Sequence, residues 1–350
     1  MTDFETLSSI ARTTVVPEKS IKLINTDTPD LELYHFGFSI CSHKVRATLH
    51  ELGAGWRSLE LDPGKNQNYK ADYVRLRLTS DAAESSPFST GWSGGSAVAE
   101  SGFDPLVVPT LVDLRENRVI ADSLEICLYL ARSMRDSYDL LPEDIEQDVL
   151  AELDKVDQKP HVALLYGANP HRDGRSLIFR KVFKSEHERK AAAAREEADK
   201  VKGQDARLDA AYDAKIKKEL AGSSFVASTD KMVAAIKRTD QLIEEFAGTL
   251  EASGGPWVFG DRFTMADVFW GASLLRLEFL GYSWLYRSDP VRPAVAEYAD
   301  RVFARPSISQ MIAKWPTHPW SRPAAKWLRR PALPDLLFGL GSREGVRGDL

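Results

Sequence analysis

Two cysteines in 350 residues are too few for a disulfide framework. The seven histidines are scattered, and no His-x-x-x-His or Cys-x-x-Cys spacing occurs, so no metal is expected. No run of 18 apolar residues exists, which excludes a helical membrane span of ordinary length. A phosphate-binding glycine loop is also missing, because Gly91-Trp92-Ser93-Gly94-Gly95 neither follows a clear strand nor opens a helix. Positive charge is not in excess either; a formal net charge of −5 argues against nucleic acid as the main partner. The opening Met1-Thr2-Asp3-Phe4-Glu5 is acidic with no apolar signal core behind it. Export is therefore not expected, and a cytoplasmic location is. No internal repeat is found.

The chain is long enough for two domains with cores of their own. Its most informative stretch is Ser39-Ile40-Cys41-Ser42-His43-Lys44-Val45-Arg46. The alternating Leu31-Glu32-Leu33-Tyr34-His35-Phe36 before it reads as a strand, and Val45, Leu49 and Leu52 then recur at helical spacing until Gly53. Ser39 and Cys41 thus fall on a strand-to-helix turn, where unpaired N–H groups and the helix dipole favour a thiolate. His43, Lys44 and Arg46 add positive charge. The same pattern also suits a cysteine packed under a helix start, and the segment alone leaves both readings open.

A second set of elements follows. Val107-Val108-Pro109-Thr110-Leu111-Val112-Asp113 is an apolar strand with a proline near its start. Arg118-Val119-Ile120-Ala121 leads into Asp122-Ser123, which begin another helix. Phe263-Thr264-Met265-Ala266-Asp267-Val268 reads as a capping box heading a helix that is apolar nearly all round to Leu280, apart from Arg276 and Glu278. Residues 1–30 read as an N-terminal extension, packed on the body or loose, 31–135 as an α/β unit, 145–320 as helical, and 321–350 as an irregular tail. One helix is expected to run from Glu143-Asp144 toward Tyr166. Residues 79–104 form a long polar insertion, either a lid or a passive surface excursion.

This order of elements resembles the glutathione transferases, whose fold joins a thioredoxin-like α/β N-terminal domain to an all-α C-terminal domain. Within them the chain resembles the glutathione-dependent reductive dechlorinases of chlorinated hydroquinones. The resemblance is carried by Phe38-Ser39-Ile40-Cys41-Ser42, Tyr73-Val74-Arg75-Leu76-Arg77-Leu78, Phe103 to Asp113, Ala121-Asp122-Ser123, His161 to Ala168 and Gly260-Asp261-Arg262-Phe263-Thr264. It is also similar, more distantly, to zeta-class maleylacetoacetate isomerases, whose Ser-Ser-Cys-x-x-Arg-Val-Arg pattern appears with Ile40 and Lys44 in place of a serine and an arginine.

The resemblance implies glutathione as cosubstrate and an aromatic chlorohydroquinone as substrate, and a homodimer is compatible with it; as above, no metal, membrane or nucleic acid is expected. Cys41 and Ser39 are the implied catalytic residues, with Ser39 activating the glutathione thiol and Cys41 attacking a glutathionyl-hydroquinone. Val108 and a cis Pro109 are implied to pair with the cysteinyl part of glutathione, and Asp122 and Ser123 to take its γ-glutamyl end. Asn66 and Gln67 are implied near the glycyl end, and the aromatic ring near Tyr166. His35, His43, Arg46 and Tyr166 are candidates for driving tautomerisation of the ring. Cys127, on an apolar helix face, is expected in the core. A β-aryl etherase, a cis–trans isomerase and a non-catalytic glutathione-binding protein are the competing readings.

Overall fold

The alternation of residues 31–36 becomes strand β2 (Leu31–His35), which pairs with one strand on each side. The structure is a computed structural model and describes residues 4–170, 183, 185–288 and 292–318. Helix α1 (Phe4–Val15) and strand β1 (Ile21–Ile24) precede β2. Helix α2 (Ile40–Glu51) leads to β3 (Trp56–Glu60), and α3 (Ala71–Leu78), α4 (Asp81–Ser85) and α5 (Val98–Ser101) lie before β4 (Thr110–Asp113) and β5 (Arg118–Ile120). The sheet order is β1-β3-β2-β4-β5, with β2 and β3 parallel and the other pairs antiparallel.

The segment before residue 31 is built into this sheet. β1 pairs with β3 from Ile21↔Leu59 to Ile24↔Trp56. Helix α1 lays Ala11 and Val15 into a cluster with Tyr34, Leu59, Tyr73 and Leu76. Arg12 of α1 and Arg57 of β3 both pair with Glu32, which is fully buried in β2. Burial of that carboxylate is tolerable only because two cations meet it. Alternation over four residues is too short to read as a strand without a partner, which is why the sequence suggests only an extension.

Register then sets the site. Tyr34 pairs with Thr110, and Leu111 with Ile120. One step on, Pro109 is level with His35, and Asp122 is level with Pro109. The turn leaving β2, the Val108–Pro109 segment entering β4 and the Asp122 leaving β5 therefore meet at one end of the sheet. The Val108–Pro109 bond is cis.

The remainder is helical: α6 (Ser123–Ser133), α7 (Glu146–Asp157), α8 (His161–Tyr166), α9 (Glu186–Val201), α10 (Ala206–Val226), α11 (Thr229–Ser253), α12 (Met265–Leu280), α13 (Trp284–Arg287), α14 (Pro293–Ala304) and α15 (Pro306–Ile308). The single helix expected over 143–166 is a pair, α7 and α8. Pro160 divides them, since it lacks an N–H and forces the residue before it out of the α region. Helix α12 is buried on almost every side, and Asp267 closes its capping box, taking the N–H of Thr264 at 2.8 Å, the N–H of Val258 at 3.0 Å and the Tyr298 hydroxyl at 3.0 Å.

The insertion at 79–104 is pinned at several points. The Gly94 carbonyl accepts the N–H groups of Val162 and Ala163 at 2.9 and 3.0 Å and so caps α8 from outside. Asp104, buried, pairs with Lys215 at 2.8 Å. The tail expected to be irregular, 321–350, lies outside the described residues. Among the described residues, no helix is long and apolar enough to cross a membrane.

Candidate active site

Ser39 is the N-cap of α2, and its Oγ accepts the Ser42 N–H at 3.3 Å. The turn is closed by Ser39 N–H donating to the Phe36 carbonyl at 3.1 Å and by Phe36 N–H donating to Ser42 Oγ at 3.3 Å. Cys41 falls at the second helical position, half-buried, and its Sγ donates to Ser96 Oγ of the insertion at 3.4 Å. The cap uses one lone pair of Ser39 Oγ and leaves its O–H as a donor.

Everything beneath this turn holds it in place. Glu60 accepts the Gly37 N–H at 3.0 Å and also the Thr317 hydroxyl. Only glycine fits at position 37, because a Cβ there would lie 1.8 Å from Thr317 Oγ1 and 2.8 Å from Glu60 Oε1. The Gly37 carbonyl accepts from His43 Nε2 at 2.9 Å and from Arg46 at 3.1 Å. Arg46 also reaches the Met311 carbonyl at 2.9 Å and His35 Nδ1 at 3.2 Å, and His35 Nε2 meets Ser58 Oγ at 2.8 Å. His35, His43 and Arg46 are all fully buried. Burial first, and then Arg46, push both imidazoles well below their usual range, so they stay neutral. Three of the four expected tautomerisation groups are thus scaffold under the turn.

Two buried cations, Lys44 and Arg276, lie about the turn. Lys44, buried, pairs with Asp157 of α7 and lies 4.2 Å from the centre of the Phe269 ring. Burial opposes its charge, but Asp157 and the Cys41 sulfur outweigh it and hold the ammonium above its usual value. Arg276 of α12 donates to the Phe38 carbonyl and is 4.2 Å from the Phe38 ring; burial brings it down to about 10, against the favourable charges of Tyr166 and Cys41. Tyr166 ends α8, with Lys190 of α9 donating to its hydroxyl and the Lys190 ammonium 4.0 Å from its ring centre. Burial would depress Lys190, but Tyr166, Glu219 and Tyr69 hold it above its usual range.

Asp122 is the N-cap of α6, and its Oδ1 accepts the N–H groups of Leu124 and Glu125 at 2.7 and 3.3 Å. Burial and then Asp157 raise its carboxyl, against the two N–H groups and Lys44. Ser123 follows, buried, as the first residue of that helix. Val108 spends its main-chain N–H and C=O on no hydrogen bond among the described residues. Tyr73 and Arg77 grip the main chain around it, at Val107 O (2.8 Å) and at Pro109 O and Thr110 Oγ1. Asn66 and Gln67 are already engaged, with Arg189 at 2.8 Å and with the Asp62 N–H at 2.6 Å. Cys127 is fully buried, and desolvation pushes its thiol up to about 12, with Thr48 donating to it at 3.4 Å.

Ser96, Arg276, Asp157 and Lys190 did not stand out as site residues in the sequence. Arg276 left a signal, a charge inside an otherwise apolar helix. Ser96 left none, being one serine in a serine-rich loop.

A family model described as "Glutathione S-transferase, N-terminal domain" matches residues 38–133, and one described as "Glutathione S-transferase, C-terminal domain" matches residues 192–301. The chain is 44% identical over 332 residues to a 2,5-dichlorohydroquinone reductive dechlorinase of Sphingobium indicum, covering 91% of this chain and 96% of that one. It is 26% identical over 293 residues to a tetrachloro-p-hydroquinone reductive dehalogenase of Sphingobium chlorophenolicum, covering 82% and 98%. Among solved structures, a β-etherase from Sphingobium sp. strain SYK-6 matches with a TM-score of 0.52 at 18% identity, over 82% of this chain and all of that one.

Proposed function

The chain belongs to the glutathione S-transferase family, and from that membership we propose that it is a glutathione-dependent reductive dechlorinase of chlorinated hydroquinones. One observation carries the reading: the strand-to-helix turn holds a half-buried thiol, Cys41, in the first turn of α2, while the other thiol, Cys127, is sealed in the core. The names of the two dechlorinating relatives supply the substrate class. The cytoplasm, where glutathione is kept reduced, is the compartment the reading requires.

Glutathione would lie along the end of the sheet. Its cysteinyl main chain would pair with the unspent N–H and C=O of Val108, beside Pro109, like an added strand. Its γ-glutamyl end would meet Asp122, whose Oδ2 is outside the helix cap, and Ser123 at the start of α6. The Ser39 O–H would donate to the glutathione sulfur while its lone pair still caps α2.

The ring chemistry then runs in three steps. A hydroquinone moves a hydroxyl proton to a ring carbon and becomes an electrophilic enone. Glutathione thiolate adds, chloride leaves, a ring proton is lost, and a glutathionyl-hydroquinone remains. Cys41 thiolate next attacks the glutathione sulfur; the carbon–sulfur bond breaks, its electron pair stays on the ring, and a proton joins that carbon. The ring is reduced by two electrons and the two sulfurs are oxidised to a mixed disulfide. A second glutathione exchanges with it, restoring Cys41 and releasing glutathione disulfide. No second cysteine is placed to do this, so the external thiol is needed.

The test is to supply 2,5-dichlorohydroquinone and glutathione and to measure chloride and glutathione disulfide together. Equal amounts of the two support the reading. Chloride without disulfide, with the thioether as end product, would reduce the protein to a conjugating transferase.

A further inference from the structure

We propose that Ser96, carried to the active-site turn by the 79–104 insertion, donates its hydroxyl to the Cys41 sulfur whenever that sulfur is ionised; this rests on the dechlorinase reading above. The contact itself joins residues 55 apart in sequence, with Cys41 Sγ and Ser96 Oγ 3.4 Å from each other. A neutral thiol supplies the proton of that bond. Once ionised, the sulfur can only accept, and the Ser96 O–H turns toward it. Nothing competes for that proton, since Ser96 Oγ makes no other hydrogen bond among the described residues. Ser39 has a different duty: it caps α2 and, in the reading above, serves the glutathione sulfur.

A serine on a loose loop would lose conformational freedom each time it met the sulfur. This loop is fastened on both sides of Ser96. Its base is closed by the Phe103 N–H donating to the Pro87 carbonyl and the Ser89 N–H to the Phe103 carbonyl, each at 2.9 Å. Gly102 permits that closure: its φ is 80°, and a Cβ there would stand 2.7 Å from the Pro87 carbonyl oxygen. Ahead of Ser96, the Trp92 ring packs edge-on against His187 of α9 and Phe225 of α10, with ring centres 5.1 and 4.8 Å away. Gly94 then caps α8 through its carbonyl. Behind Ser96, Val98 opens α5. The insertion is a docked arm, and the group it brings to the thiol is one half-buried hydroxyl.

That hydroxyl acts twice in turnover. Before the attack on the glutathionyl-hydroquinone it favours Cys41 as the thiolate, which is the nucleophile. In the last exchange a glutathione thiolate attacks the glutathione sulfur of the mixed disulfide. The sulfur–sulfur bond breaks, its electron pair stays on Cys41 Sγ, and glutathione disulfide departs. Ser96 meets the anion as it forms, and a stabilised leaving thiolate leaves faster.

The first test needs neither substrate nor glutathione. Alkylation of Cys41 by iodoacetamide is timed at pH 7 and at pH 10 on wild type and Ser96→Ala, with the label located by peptide mass spectrometry. Loss of the donor is expected to slow alkylation at pH 7 about tenfold and to leave it within about twofold at pH 10, where a thiol ionises unaided. Ser96→Thr keeps a hydroxyl and is expected within about threefold of wild type at both pH values. If Ser96 only shields the sulfur, Ser96→Ala speeds alkylation at both pH values. That result overturns the assignment, as does an unchanged rate at pH 7 or a Ser96→Thr variant as slow as Ser96→Ala. The second test is clearance of a preformed Cys41–glutathione mixed disulfide by glutathione, expected to slow about tenfold in Ser96→Ala. Clearance at the wild-type rate overturns the part given to Ser96 in turnover. A wild type that releases no chloride from any chlorohydroquinone overturns the dechlorinase reading, whereas the alkylation rates decide the hydrogen bond by themselves.

Discussion

At the scale of single residues, the proposed mechanism divides the work between Cys41 and Ser39. Cys41→Ser is expected to form the glutathionyl-hydroquinone and release chloride, but to let the conjugate accumulate, as followed by chromatography. Dechlorinated hydroquinone at the wild-type rate would make Cys41 structural. Ser39 caps α2, and the proposal gives it a second job that one substitution tests. Loss of the cap costs about 1 kcal/mol of stability. Loss of a hydrogen bond to a thiolate costs about 1.5–3 kcal/mol and slows chloride release roughly ten- to hundred-fold. Ser39→Ala should therefore lower both the melting temperature and the rate per folded molecule at saturating glutathione; a fall in melting temperature alone would leave Ser39 as a cap only. The thiol, its serine and their helix were legible because they are local, lying in one eight-residue stretch. Ser96 and Lys190 were not, because what brings them to the site is the docking of a loop and a helix far away in sequence.

At the scale of elements, the cap of α12 governs a pH dependence. Burial pushes the Asp267 carboxyl up to about 6, even against its hydrogen bonds from Thr264, Val258 and Tyr298. A raised carboxyl contributes stability that is complete below its unfolded value near 4 and is lost as pH rises through 6. Asp267→Asn cannot ionise, but it sets an amide N–H against donors that the carboxylate accepts. The variant is expected to be less stable than wild type at pH 5, with the gap narrowing by about 1 kcal/mol at pH 7 in urea unfolding. Parallel pH profiles would contradict the burial argument. This helix was the most legible element, since its apolar pattern and its cap both lie in sequence. The break between α7 and α8 was less so, because the apolar positions on either side of Pro160 run on without a change of spacing.

At the scale of the molecule, polar links join α2 and the turn before it to the later helical region. Lys44 meets Asp157, Arg276 meets the Phe38 carbonyl, Arg46 meets the Met311 carbonyl, and Arg305 and Ser307 meet Glu51 at the end of α2. Removing one side of the first link strands a buried ammonium. Asp157→Ala is expected to cost roughly 3–5 kcal/mol, and Lys44→Met with Asp157→Leu to recover most of it. A cost below about 1 kcal/mol in urea unfolding would show that the pair is solvated. None of these links was legible in advance, since each joins residues that only the packed molecule brings together. The same links hold the turn that carries Cys41, and the central claim is a covalent one: Cys41 carries glutathione during turnover. Its most direct test is intact and peptide mass spectrometry of enzyme quenched while consuming 2,5-dichlorohydroquinone and glutathione. The account predicts one glutathione in disulfide linkage on the peptide containing Cys41 and none on the peptide containing Cys127. Turnover to dechlorinated product with Cys41 never modified would contradict it.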